Sequence, residues 1–107
     1  MAKPLIKLPA EAKAGEVIEI KTLIAHPMES GQRRDSKGQV IPRDIIQSFV
    51  CSYAGEEVFR ADLHPGVAAN PYIAFHTVAT VSGDLVFQWT DDHGSVTSET
   101  VRLTVAS

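Results

Sequence analysis

The fold class of this chain is decided by residues 85–105, which read LVFQWTDDHGSVTSETVRLTV. Apolar and polar side chains alternate on both sides of a short polar connection, with the two-residue period of a half-buried strand. The connection contains Asp92-His93-Gly94, which is typical of a tight turn between two strands. The segment therefore predicts an antiparallel hairpin with one apolar face in a core. That face consists of Leu85, Phe87, Trp89, Val101, Leu103 and Val105.

The same alternation continues toward the start of the chain. Between the apolar segments lie glycine, proline and aspartate residues at the spacing found in β-sandwiches. The predicted strands are residues 5–8, 16–25, 45–53, 57–62, 72–81, 85–90 and 96–105. Residues 1–107 are thus predicted to form one all-β domain, an Ig-like β-sandwich of about seven antiparallel strands, with helix only as a short turn.

Two faces are distinguished in the predicted strand 45–53. Its core face is predicted to carry the aromatic side chains, together with Ile45 and Cys51. Ile46 and Val50 fall on the opposite face, as Val17 and Leu23 do in the predicted strand 16–25. Apolar residues outside a core face are typical of surfaces where subunits associate. We therefore expect a partner-binding surface at such residues, either Val17 and Leu23 or Ile46 and Val50.

Length and composition exclude several classes of protein. The 107 residues carry a formal net charge of −3 with scattered lysine and arginine, whereas nucleic-acid binding needs a basic face. No segment approaches the roughly 18 apolar residues of a membrane-spanning helix. The first residues lack the apolar stretch of a secretory signal, so we do not expect the chain to export itself by that route.

A long connection joins the strands that end near residue 25 and begin near residue 45. Residues 29–39 contain no aliphatic or aromatic side chain, so little apolar burial offsets the entropy of ordering them. Connections of this length are often binding segments. We expect order to come mainly from partner proteins, with His26 and Met28 at the base and Arg33 and Arg34 at the tip as candidate partner-binding residues. The simpler alternative is a rigid corner at His26 and a solvated tip.

The four histidines and one cysteine raise the alternative of a mononuclear iron site of the superoxide-reductase type. His26, His64, His76 and Cys51 are far apart in sequence, however, and lack the short ligand spacing of recognisable metal motifs. No nucleophile motif of a hydrolase is present. We therefore expect no catalytic residue, no metal site and no cofactor. Cys51 is interpreted as a buried core residue, with a thiol at a partner interface as the alternative.

Three short motifs carry a resemblance to a known family. They are HPMESGQR at residues 26–33, ADLHP at residues 61–65 and ANPY at residues 69–72. In combination these motifs resemble the SoxZ family, the small subunit of the SoxYZ carrier of bacterial thiosulfate oxidation. The resemblance extends over essentially the whole chain. Stand-alone binding by a β-sandwich domain remains a further alternative.

The resemblance implies a non-catalytic Ig-like subunit that forms a heterodimer with SoxY. In that family, a cysteine on a flexible arm of SoxY carries the sulfur intermediates between enzymes, which implies transient contacts with those enzymes. Residues 103–107 contain neither cysteine nor glycine, so the chain resembles the Z subunit and not the Y subunit. The family also implies a periplasmic location, reached by export together with a signal-bearing partner.

Overall fold

The computed structural model describes residues 4–106, and their regular structure consists of β-strands. The strands in this part of the chain are β1 (Leu5–Lys7), β2 (Glu11–Lys13), β3 (Val17–Leu23), β4 (Ile46–Tyr53), β5 (Glu56–Asp62), β6 (Tyr72–Val78), β7 (Gly83–Asp91) and β8 (Val96–Ala106). None of the described residues forms a helix that is long and apolar enough to cross a membrane.

The strands form two sheets. The smaller sheet has the order β1-β3-β6, and the larger has the order β2-β8-β7-β4-β5. This confirms the predicted all-β sandwich. Two details differ from the prediction: β2 is an additional strand, and it pairs parallel with β8, whereas the other pairs are antiparallel. Sequence reasoning missed β2 because its three residues offer only Ala12 as an apolar side chain, too little to show a period.

The core lies between the two sheets and is built from the alternating faces of their long strands. β3 and β7 bury every second residue, which is the pattern that their sequences predict. Phe49 is central to the core, with its ring centroid 5.0 Å from that of Trp89. Phe59 of the larger sheet stacks on Phe75 of the smaller sheet at 4.4 Å. Burial stabilises the fold by about 1.5 to 3 kcal/mol for each such side chain.

The start of β4 departs from simple alternation. Its register with β7 shifts between Ile46 and Ser48, which is the signature of a β-bulge. As a result, Ile45 and Ile46 are both buried, and the inward face continues with Phe49. The prediction that Ile46 lies outside the core is therefore wrong. The extra residue of the bulge interrupts the alternation, so that even-numbered Ile46 faces inward although the odd-numbered residues do so from Phe49 onward.

The long connection has a hydrogen-bonded structure of its own. Glu29 and Asp44 exchange backbone hydrogen bonds at 2.8 Å at its base, and Arg34 pairs with Val40 near its tip. The Asp35 carboxylate closes the tip by accepting the N–H groups of Lys37 and Gln39. We expected partner proteins to supply most of this order. The structure corrects that expectation, because polar bonds within the connection replace the missing apolar burial.

Candidate functional site

His26 is buried at a corner of the protein, where the chain leaves the end of β3. Its N–H donates to Asn70 Oδ1 at 2.9 Å, and its carbonyl accepts the Asn70 N–H at 2.8 Å. Its ring Nδ1 accepts the N–H of Met28 at 3.0 Å, which fixes the ring orientation. The HPMESGQR and ANPY motifs thus meet at one point, where Asn70 adopts the left-handed conformation that asparagine tolerates well.

Met28 closes the same corner from the core side. It adopts φ 50°, and its sulfur lies 3.3 Å from the backbone nitrogen of buried Ile46. The expectation that His26 and Met28 present a surface to a partner is therefore corrected, because only 6% and 7% of these residues are exposed. The motif acts as an anchor for the long connection.

The tip charges lie at the surface, as expected. Arg33 approaches Glu29 at 2.6 Å, and this hydrogen-bonded pair lowers the pKa of Glu29 and raises the pKa of Arg33. Arg34 donates to the carbonyl of Gly38 at 2.8 Å. Both guanidinium groups are exposed, and Arg34, whose charge is not offset as that of Arg33 is by Glu29, is available for long-range attraction of a charged partner, which affects encounter rate more than affinity. Their role in partner binding remains a prediction.

Asp92 links the end of the connection to the β7–β8 turn. Its carboxylate accepts hydrogen bonds from Arg43, Gln47 and the N–H of Ile45. The Arg43 side chain, followed by Gln47, holds the pKa of Asp92 well below its usual range. This network fixes the entrance to β4. It is a structural feature, since the Asp92 carboxylate is occupied by these three donors.

One group of potential metal ligands occurs within residues 4–106. It contains His26, Asp44 and Asp91, whose ligand atoms lie within 4.8 Å of one another. Because His26 Nδ1 accepts the N–H of Met28, the proton of the neutral ring resides on Nε2. Nε2 lies 3.7 Å from Asp44 Oδ1, too far for a hydrogen bond, and this buried oxygen has no hydrogen-bond partner among the described residues. Asp91 already accepts two N–H groups of the β7–β8 turn.

The side chains that an iron site of the superoxide-reductase type would use lie far apart in the fold. His76 is on the outer face of the smaller sheet, 3.6 Å from Glu19, and His26 is at the end of the sandwich. Cys51 is fully buried in the larger sheet, where burial raises its pKa to about 12. Its interpretation as a core residue is confirmed. A thiol in this position has no access to a partner interface.

The most apolar exposed surface is the outer face of the smaller sheet. Leu5, Leu23 and Tyr72 lie side by side on its three strands, and we call these residues the apolar row. Their exposed fractions are 67%, 37% and 59%. Val17 and Val78 form a second exposed pair at the other end of the same face. Exposed contiguous apolar side chains of this kind mark interaction sites.

Val17 and Leu23, which the sequence predicted to be exposed, thus lie on the same outer face of the smaller sheet. Leu5 and Tyr72 were not predicted as surface residues for a partner, although both occupy solvent-facing positions in the alternating pattern of predicted strands. The outer face of the larger sheet differs, because Val50 is half-buried there between Arg60 and Gln88, its register partners on β5 and β7. The partner role of Val50 remains a prediction, and the apolar row is the stronger candidate.

Comparison with known proteins identifies a family and a fold. The family model described as sulphur oxidation protein SoxZ matches residues 6–102. No curated protein sequence matches the chain. Among solved structures, a variant of superoxide reductase (neelaredoxin) from Ignicoccus hospitalis is similar with a TM-score of 0.78 and 17% identity, covering 96% of this chain and 79% of that one.

Two further solved structures share the fold. The sulfur carrier protein SoxY from Chlorobium limicola f thiosulfatophilum has a TM-score of 0.69 and 13% identity, covering 97% of this chain and 79% of that one. A putative superoxide reductase from Thermotoga maritima has a TM-score of 0.67 and 16% identity, with 97% and 86% covered. At these identities the likeness concerns the fold alone.

Proposed function

The chain belongs to the SoxZ family, and on this premise we propose that it is the non-catalytic subunit of a heterodimeric sulfur carrier. In this role it binds a SoxY-like subunit and supports presentation of the sulfur intermediates bound to the cysteine of that subunit. The family match over residues 6–102 carries the proposal. The heterodimer would operate in thiosulfate oxidation.

The chemistry of the described residues is consistent with a scaffold. At the end of the sandwich, the His26 ring and the Asp91 carboxylate accept backbone N–H groups, and the thiol of Cys51 is buried. The exposed surface, in contrast, carries the apolar row. Burial of aromatic and aliphatic side chains at the centre of an interface supplies much of the affinity of a complex. We propose the outer face of the smaller sheet as part of the contact with the partner.

The remaining functional expectations extend this proposal. The exposed guanidinium groups of Arg33 and Arg34 are suited to transient encounters with the enzymes that act on the carrier. The location follows from the partner: we propose that the chain reaches the periplasm together with a signal-bearing SoxY-like subunit. Fractionation of cells that express the chain with and without this subunit tests the location.

The experiment that tests the function is titration of the purified chain with a SoxY-like subunit by calorimetry. We expect a complex with one copy of each subunit. Leu23→Glu places a charge in the middle of the apolar row and should weaken binding by about tenfold or more, as loss of a central interface side chain does. Val96→Glu is the matched control, because Val96 is an exposed valine on β8 of the other sheet.

Two outcomes count against the proposal in different ways. Absence of any complex with the wild-type chain would remove the heterodimer function. A complex that Leu23→Glu and Val96→Glu weaken equally would leave the function in place and remove the outer face from the interface. Circular dichroism of both variants ensures that the sandwich is intact before binding is compared.

A further inference from the structure

β6 forms one edge of the smaller sheet, and its hydrogen bonds show which residues face outward. Ile24 donates to the carbonyl of Pro71 at 3.4 Å, and Ala79 donates to Glu16 at 2.8 Å. Backbone groups of an antiparallel strand point alternately to its two sides. Odd-numbered residues of β6 therefore bond to β3. The N–H and C=O groups of Tyr72, Ala74, His76 and Val78 point away from β3, toward the open edge.

This edge lacks the protection found on the other sheet edges of the described region. β1 and β2 are only three residues long. β5 is as long as β6 but carries the charged residues Glu56, Glu57, Arg60 and Asp62. β6 contains no charged residue other than a titratable histidine, no proline and no register shift along its seven residues. Long edges without charge, proline or bulge are templates for pairing with a strand from another chain.

The edge is also held in place from the core side. The Phe75 ring stacks on Phe59 at 4.4 Å with an interplanar angle of 9°, and the ring of Phe49 lies 6.0 Å from that of Phe75. These contacts fix the course of β6 before any partner arrives. A rigid strand loses less conformational entropy on pairing than a mobile one, which favours association.

We propose that β6 pairs with an edge strand of the SoxY-like subunit, so that the smaller sheet continues from this chain into its partner. The inference rests on the function proposed above and assigns the contact within it. The solved SoxY structure is similar in fold over 97% of this chain, and open sheets end in edge strands, so a SoxY-like partner offers an edge with which β6 can pair. The side chains of Tyr72 and Val78 on β6 then meet those of the added strand, and Tyr72 connects this contact to the apolar row.

Amide exchange measured by NMR for the isotope-labelled chain tests this pairing. In the free chain, the amides of Ile73, Phe75 and Thr77 should be protected by β3, whereas those of Tyr72, Ala74, His76 and Val78 should exchange rapidly. Addition of the SoxY-like subunit should slow the second set by about tenfold or more, which corresponds to about 1.4 kcal/mol for each protected amide. Protection that alternates along β6 distinguishes strand pairing from general covering of this face.

A proline variant supplies an independent readout. Ala74→Pro removes an outward N–H that β3 does not use, and proline is tolerated at such edge positions. Arg60→Pro is the matched control on β5. Because Leu63 donates to Gln47, odd-numbered residues of this part of β5 bond to β4, and the Arg60 N–H points outward. We expect Ala74→Pro to weaken the complex by about tenfold, from loss of a hydrogen bond and steric exclusion of the added strand, and Arg60→Pro to leave it unchanged.

The results separate this inference from the function on which it rests. Failure of the wild-type chain to form the complex would remove both. A complex that forms without slower exchange of the even-numbered β6 amides would remove the strand pairing and leave the function. Protection of these amides in the free chain, with dependence on its concentration, would assign the edge to a second copy and also overturn the proposal. The exchange measurement uses the wild-type chain, so it decides the question even where Ala74→Pro does not fold.

Discussion

Replacement of Asp92 by alanine should destabilise the protein more than replacement of the exposed Asp84 does. The substitution removes the acceptor for the Arg43 guanidinium, at 2.8 and 2.9 Å, and for Gln47 Nε2, at 2.6 Å. It also removes the acceptor for the N–H of Ile45, a residue that is only 1% exposed. The entrance to β4 then loses its side-chain attachment to the β7–β8 turn and keeps the backbone hydrogen bond from the Asp92 N–H to the Ile45 carbonyl at 2.9 Å.

The expected magnitude follows mainly from the buried amide. An unsatisfied buried donor costs about 1 to 3 kcal/mol, whereas the pair with Arg43 adds less because the Arg43 side chain is 45% exposed and its charge is screened by solvent. A loss of about 1 kcal/mol lowers Tm by about 4 °C or more for a domain of this size. We therefore expect Asp92→Ala to lower Tm by at least about 4 °C. Asp84→Ala is the control, since Asp84 is exposed and lies 3.6 Å from Arg102.

Asp92→Asn tests the charge separately, through the pH dependence of stability. The pKa of Asp92 is lowered in the folded state, chiefly by hydrogen bonds from Arg43 and Gln47. A lowered pKa means that the stabilisation is complete above the unfolded-state value of about 4 and is lost as the pH falls below it. The difference in unfolding free energy between wild type and Asp92→Asn should thus be constant from about pH 5 to 8 and smaller at about pH 3.

Chemical denaturation at several pH values provides the measurement. Equal losses of stability in Asp92→Ala and Asp84→Ala would contradict the conclusion that the Asp92 carboxylate stabilises the entrance to β4. A gap between wild type and Asp92→Asn that is as large at about pH 3 as at about pH 7 would show that the charge is not responsible.

Three further predictions concern the anchor, the thiol and the long connection. Met28→Ala should lower the free energy of unfolding by about 2 to 4 kcal/mol in denaturant titrations, because it empties a buried position, whereas Leu5→Ala on the surface should have little effect. Cys51, with its pKa raised to about 12 by burial, should react with a thiol reagent at about pH 8 only as fast as the protein unfolds; rapid reaction of the folded chain would contradict its placement in the core. Deletion of residues 30–38 should change Tm by only a few degrees, because the apolar anchors lie outside this segment, and should weaken association with partner proteins; an unfolded deletion variant, or one with unaltered association, would refute this role.

The outcome for the candidate site residues depended on how far each was fixed by local sequence. Arg33 and Arg34 are at the surface as predicted, because a charged segment without apolar side chains has no reason to enter a core. Val17 and Leu23 are exposed as predicted, because alternation along β3 is regular. Ile46 was misplaced, since a single bulge reverses the parity of a strand and leaves no clear sign in the sequence.

The sequence by itself determined the fold class and most of the strands, and it favoured burial of Cys51, because alternation and turn residues are local properties of the chain. Only the tertiary structure decided what the separated segments form together. The His26 corner requires Asn70, which lies 44 residues away, and the apolar row requires the pairing of three strands. The open edge at β6 likewise follows from strand order, not from the sequence of β6. Such features arise from contacts between residues distant in sequence, and register and strand order are set by how the whole core packs.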